Sequence, residues 1–140
     1  MNSRERTIRT ETATITLVAD RFIEQRISPT ARLTTAAMEK CRRARRSVSG
    51  GIPCVVLIVV PDTVPVESEA ANVDHYRKDS VDRSIIAMAV VVSNSSTSAL
   101  NKFYFRYYPQ AFQVRVLDSE DDARNWLNER LREDQTERTG

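Results

Sequence analysis

The sequence is poor in the residues on which most binding and catalytic chemistry depends: 140 residues contain three glycines, two cysteines and one histidine. A nucleotide cradle sets glycines between a strand and the helix after it, so that phosphate oxygens can approach backbone N–H groups. Gly50 and Gly51 lie instead between a predicted helix and the strand that follows, Gly140 is the last residue, and there is no Walker lysine motif. A phosphate cradle is disfavoured. Cys41 and Cys54 can build neither a disulfide framework nor a four-ligand metal site, and both fall in predicted buried elements as reduced thiols. His75, beside Asp74 and Tyr76, reads as a surface residue of a polar helix, and no serine sits in a nucleophile-elbow pattern. No catalytic residue, cofactor or metal ligand is predicted, and the chain reads as a non-enzyme.

Long hydrophobic runs and a dominant charge are missing too. The longest apolar run, Ile52 to Val60, is strand length and well short of the ~20 residues that cross a bilayer. Met1 to Thr7 is polar and charged, unlike the apolar core of a signal peptide, so a cytoplasmic protein without a membrane span is expected. Lys and Arg number 21 against 19 Asp and Glu, a balance too even to argue for nucleic acid. The basic stretch Lys40 to Arg46, with Lys40, Arg42, Arg43, Arg45 and Arg46 on the polar side, reads as a solvated helix end. Cations there oppose the negative end of the helix dipole.

What the sequence does hold is alternation. The run from Ile52 to Val60 is rich in β-branched residues, does not alternate, and is stopped by Pro61, which marks a strand covered on both faces. Thr7 to Ala19 reads as a strand with one drier face, and Ala19-Asp20-Arg21 as a turn into a second strand, Phe22 to Ile27. A helix follows to about Ser47, with Leu33, Ala37, Cys41, Ala44 and Val48 on one face. After Pro61 come a proline-containing loop and a polar helix from about Ser68 to Ser80. Arg83 to Val92 is a second continuous strand. Leu100, Phe103, Tyr104 and Tyr107 then fall at i, i+3, i+4 and i+7, the packing stripe of a helix that Pro109 closes. Phe105 and Tyr108 lie outside that stripe and are candidates to border a ligand cleft or partner surface. Phe112 to Leu117 alternates as a strand. Ser119 caps a last helix, with Glu120, Asp121 and Asp122 at its positive end and Ala123, Trp126, Leu127 and Leu131 on its buried side.

The order is β-β-α-β-α-β-α-β-α, an α/β fold with a mixed, mostly parallel sheet and crossover helices. A single domain is expected, ordered from about residue 7 to 132, with a polar tail over 133–140. In such sheets, function gathers where parallel strands end, here from Pro61 to Ser68.

The hairpin, the runs Val55 to Val60 and Ile85 to Val92, and the ending Phe112 to Leu117 followed by Ser119 to Leu127 resemble the STAS domains, in particular the SpoIIAA-like group. The resemblance covers roughly Thr14 to Leu131. It implies a regulatory, protein-interaction domain with a protein partner. A homodimer is compatible with the sequence, and its even charge balance disfavours nucleic acid. In that family a serine or threonine at the start of the helix after the central strand is phosphorylated within an Asp-Ser-Gly stretch. The matching positions here are Glu67-Ser68-Glu69-Ala70, with Glu for the aspartate and Ala for the glycine. Asp62, Thr63, Glu67 and Ser68 are the candidate regulatory and interaction residues. The alternative implied by lipid-binding relatives of the fold is a small-molecule or lipid carrier, its ligand held between helices and sheet near Phe103 to Tyr108.

Overall fold

The computed structural model describes residues 6–64 and 71–139. The strands are β1 (Arg6–Arg9), β2 (Ala13–Ala19), β3 (Phe22–Ile27), β4 (Cys54–Val59), β5 (Ile85–Val91) and β6 (Gln113–Leu117). The helices described are α1 (Thr35–Ser49), α2 (Arg77–Asp82), α3 (Ser95–Tyr107) and α4 (Glu120–Thr139). The six strands form one sheet in chain order. β1, β2 and β3 pair antiparallel, and β3 through β6 pair parallel. The fold is α/β with a mixed, mostly parallel sheet.

One strand is added to the expected order, because Thr7 to Ala19 is two strands rather than one. Thr10 breaks it: its hydroxyl accepts from the backbone N–H of Thr12 and of Ala13, and its own N–H donates to the Ala13 carbonyl. A threonine side chain that satisfies two backbone donors stabilises a turn in place of continued sheet. The turn from β2 to β3 forms at Arg21, which takes a φ of 60°.

β4 is the central strand. It pairs with β3 and β5, and Cys54 through Ile58 are buried. Its alternate residues serve two cores. Val56 and Ile58 join Ile15, Ile23, Cys41, Val48, Met88 and Val90 on the side of α1. Val55 and Leu57 join Phe22, Ala89, Ala123 and Leu127 on the side of α4. This division follows from chirality: right-handed crossovers that advance in one direction put their helices on one face, leaving the other for the final helix. Ile52, expected within the strand, is 54% exposed and precedes it, because Gly50 and Gly51, both at positive φ, and then Pro53 hold the chain out of the ladder.

The helix ends are capped as their sequences dictate. The Thr34 hydroxyl accepts from Ala37 N–H at α1, and Gly50 closes that helix in the left-handed conformation. Asn94 accepts from Ser96 and Thr97 at α3, and Ser119 from Asp122 at α4. α4 runs on to Thr139, through residues expected to be a polar tail. Arg130 pairs with Glu133 one turn on, and Asp134 reaches back to Arg21 at 2.8 Å. Such pairs sustain a helix that has no apolar face left to bury. Cys41 and Cys54 are both buried and free. No described helix is long and apolar enough to cross a membrane.

Candidate functional site

The cross-strand register defines the floor of the site. On the face towards α1, one residue from each strand lines up across the sheet: Ile8, Ile15, Gln25, Ile58, Val90 and Val116. Five are aliphatic and one is an amide. Gln25 is in phase with Ile23 and Ile27 on β3, so strand periodicity forces it inward, and it is fully buried. A polar group in that position must be hydrogen-bonded or bear the cost of desolvation.

Its partner comes from α1. Arg45 lies one turn beyond Cys41 on the face that also buries Ala37, Ala44 and Val48. It was expected on the solvated side with the other basic residues; instead only 4% of it is exposed. Arg45 Nη1 donates to Gln25 Oε1 at 2.8 Å, and Nη2 donates to Asp79 Oδ2 at 3.0 Å. Asp79, equally buried on α2, accepts from the Ser84 hydroxyl at its other oxygen. The guanidinium lies 5.5 Å from the centre of the Tyr76 ring. Burial pushes the Tyr76 phenol up to about 12, so it stays neutral and protonated at ordinary pH. Gln25, Arg45 and Asp79 thus form a buried polar chain from sheet to helices. Among the described residues, two of its donors lack a partner: Gln25 Nε2 and Arg45 Nε.

Gln25 also lines a cavity of about 520 Å³, within the size range of small-molecule sites. The sheet contributes Ile27, Ile58 and Val90; Leu33 and Met38 close one side; Tyr104, Phe105 and Tyr108 of α3 and the stretch after it close the other. Among the described residues the lining includes no Asp, Glu, Lys or Arg. The wall between α2 and α3 is tied together by hydrogen bonds. Tyr104 OH donates to the Val73 carbonyl at 2.6 Å and accepts from His75 N–H at 2.9 Å. Gln110 donates to Asp74 and accepts from Ser80. His75 therefore stands in the turn before α2, stacked on Tyr104, and not within a helix.

α3 is rotated from the orientation its sequence suggests. Of the expected packing stripe Leu100, Phe103, Tyr104 and Tyr107, Tyr104 packs against the core, while Leu100, Phe103 and Tyr107 are 55%, 62% and 67% exposed. Phe105 packs against the core and, with Tyr108, lines the cavity. The i, i+3, i+7 pattern is present but lies at the mouth, where Leu100, Phe103 and Tyr107 also border the cavity. Tyr104 meets Phe105 and Tyr108 at 5.1 Å between ring centres, and Phe103 stacks on Tyr107 at 6.4 Å. Such contacts keep the helix fixed without burying its outer face.

The residues proposed for regulation divide into two groups. Glu67 and Ser68 lie outside the described residues. Asp62 accepts from the Ser93 hydroxyl at 2.7 Å, joining the loops after β4 and β5, and Thr63 donates to the Pro29 carbonyl at 2.9 Å. Part of the basic stretch of α1 is paired within the fold. Glu39 takes Arg42 and Arg43, and Arg46 pairs with Asp82. The hydrogen bonds from Arg42 hold the Glu39 carboxyl down to about 2.

The sequence reading missed Gln25, Arg45 and Asp79. A signal was available for the first two: Gln25 alternates with Ile23 and Ile27, and Arg45 follows Cys41 by one helical turn. Asp79 gave none, because its partner is 34 residues away. Among the described residues, no group of three His, Cys, Asp or Glu side chains could hold a metal ion. No curated protein and no solved structure matches the chain. A family model described as a domain of unknown function, DUF7793, matches residues 16–131, and the chain belongs to that family.

Proposed function

We propose that this domain is a non-catalytic binder of a small, largely apolar molecule, held between the sheet and the α1–α3 side. The observation that carries this reading is the cavity of about 520 Å³ between the sheet and α3, lined mostly by apolar and aromatic side chains. An apolar enclosure with a few placed polar groups is the usual form of a small-ligand site. The position beside Phe105 and Tyr108 agrees with the carrier alternative implied by the resemblance to SpoIIAA-like domains. The hydrogen-bonded Tyr104, Val73 and His75 give the wall rigidity, which lowers the entropic cost of binding.

Native mass spectrometry of the purified protein tests this. The wild type carries a small organic adduct that denaturation releases, and Val90→Phe, which fills the cavity beside Ile58, carries none. Bare wild-type protein that also takes up no apolar probe on titration contradicts the reading.

A second reading, a regulatory domain that docks a protein partner, draws on the Ser93–Asp62 contact that joins two loops at the same sheet edge. Pull-down with wild type against Ser68→Asp separates the two: loss of a captured protein in the variant favours docking, and equal recovery removes Ser68 from the account.

A further inference from the structure

The outer face of α3 pairs an apolar row with a basic one. Phe103 and Tyr107 form one i, i+4 row along the helix, Lys102 and Arg106 form the adjacent one, and all four residues are exposed. Leu100 extends the apolar row by a turn and is exposed as well. We propose that this face docks on an anionic lipid bilayer. The docking surface stands apart from the binding reading above, which concerns the cavity alone.

Charge selects this occupant. On α1 and α4, several arginines meet carboxylates of the chain itself: Arg42 meets Glu39, Arg46 meets Asp82, Arg124 meets Glu24 and Arg130 meets Glu133. α3 contains no Asp or Glu, and among the described residues Lys102 and Arg106 have no ion pair. A second copy docked on the same face about a twofold axis would bring cations against cations. An anionic surface supplies the missing charge, and each Lys or Arg near it adds to the attraction. Shape argues against an acidic peptide helix. No residue of α3 is buried, so the helix stands on the sheet as a ridge, whereas a peptide helix docks in a groove. A bilayer surface takes in a ridge. Leu100, Phe103 and Tyr107 enter the boundary between headgroups and acyl chains, and the charged ends of Lys102 and Arg106 reach the phosphates. The same three apolar residues border the cavity, so docking turns its mouth towards the acyl chains.

Flotation of the full chain with vesicles of phosphatidylcholine, alone or mixed with phosphatidylserine, tests the proposal. Two variants are compared with wild type: Phe103→Ser with Tyr107→Ser, and Lys102→Gln with Arg106→Gln. Wild type floats with the mixed vesicles and binds them at least about tenfold more tightly than the neutral ones. Each double variant loses about tenfold or more on the mixed vesicles while circular dichroism shows it folded. Equal wild-type affinity for both vesicles, or either double variant binding like wild type, overturns the proposal. No binding to any vesicle also overturns it and leaves the face to a protein partner. A wild-type dimer in sedimentation equilibrium that Phe103→Ser with Tyr107→Ser dissociates overturns it in favour of a second copy. Should the apolar variant fail to fold, Lys102→Gln with Arg106→Gln decides. None of these outcomes touches the binding reading, which adduct release from the purified protein tests.

Discussion

Arg45 shows how much can depend on one side chain that local composition misplaces. It belongs to a run of basic residues, and a run of basic residues on a helix is normally solvated. What separates Arg45 from Arg42, Arg43 and Arg46 is only its angular position, one turn from Cys41 on the face that meets the sheet. Its guanidinium is tolerated there because Asp79 and Gln25 meet it. A buried ion pair of this kind adds little net stability over a well-packed apolar pair, but removing one partner strands the other charge. Arg45→Leu alone should therefore destabilise the domain by about 3–5 kcal/mol in urea unfolding, and Arg45→Leu with Asp79→Leu by clearly less than the sum of the two single changes. Additive losses would mean that the two charges do not act as a pair. Gln25 was missed although its alternation with Ile23 and Ile27 carries the signal. Asp79 carries none, since contacts made across the fold leave no local periodicity.

At the scale of elements, β4, β5 and α4 were legible because each carries a strong single signal: continuous β-branched runs for the strands, a cap and an apolar stripe for the helix. The extra strand β1 was not, because the break at Thr10 depends on a side-chain hydroxyl and not on glycine or proline. α3 was legible as a helix but not in its rotation. It carries apolar residues on more than one side, and the sequence does not say which side the sheet will take. The mouth-facing side can be tested against a true core position. Phe103→Ser and Tyr107→Ser should each change unfolding stability by no more than about 0.5 kcal/mol, as surface substitutions do. Leu127→Ala, which empties a fully buried position under α4, should cost about 2–5 kcal/mol. A loss at Phe103 comparable to that at Leu127 would place the α3 stripe back in the core.

Across the whole molecule, the two faces of the sheet differ in character. The α4 face is closed by Ala123 and Leu127 and bordered by ion pairs, Arg26 with Glu120 and Arg124 with Glu24. The face of α1, α2 and α3 holds the buried polar chain and the cavity. The sequence pointed to the ends of the central strands as the place for function, from Pro61 to Ser68; the geometry adds a cavity against the middle of the sheet. On the binding reading proposed above, occupancy of the cavity is coupled to folding. A ligand that binds only the folded state stabilises it by RT ln(1 + [L]/Kd), about 2.7 kcal/mol at a hundredfold excess over Kd. Thermal unfolding of wild type and Val90→Phe, each with rising methyl decanoate, measures this directly. The account predicts a wild-type midpoint that climbs with the logarithm of ligand concentration and a Val90→Phe midpoint that does not move. A midpoint unmoved in both proteins, or one that climbs equally in both, would contradict it.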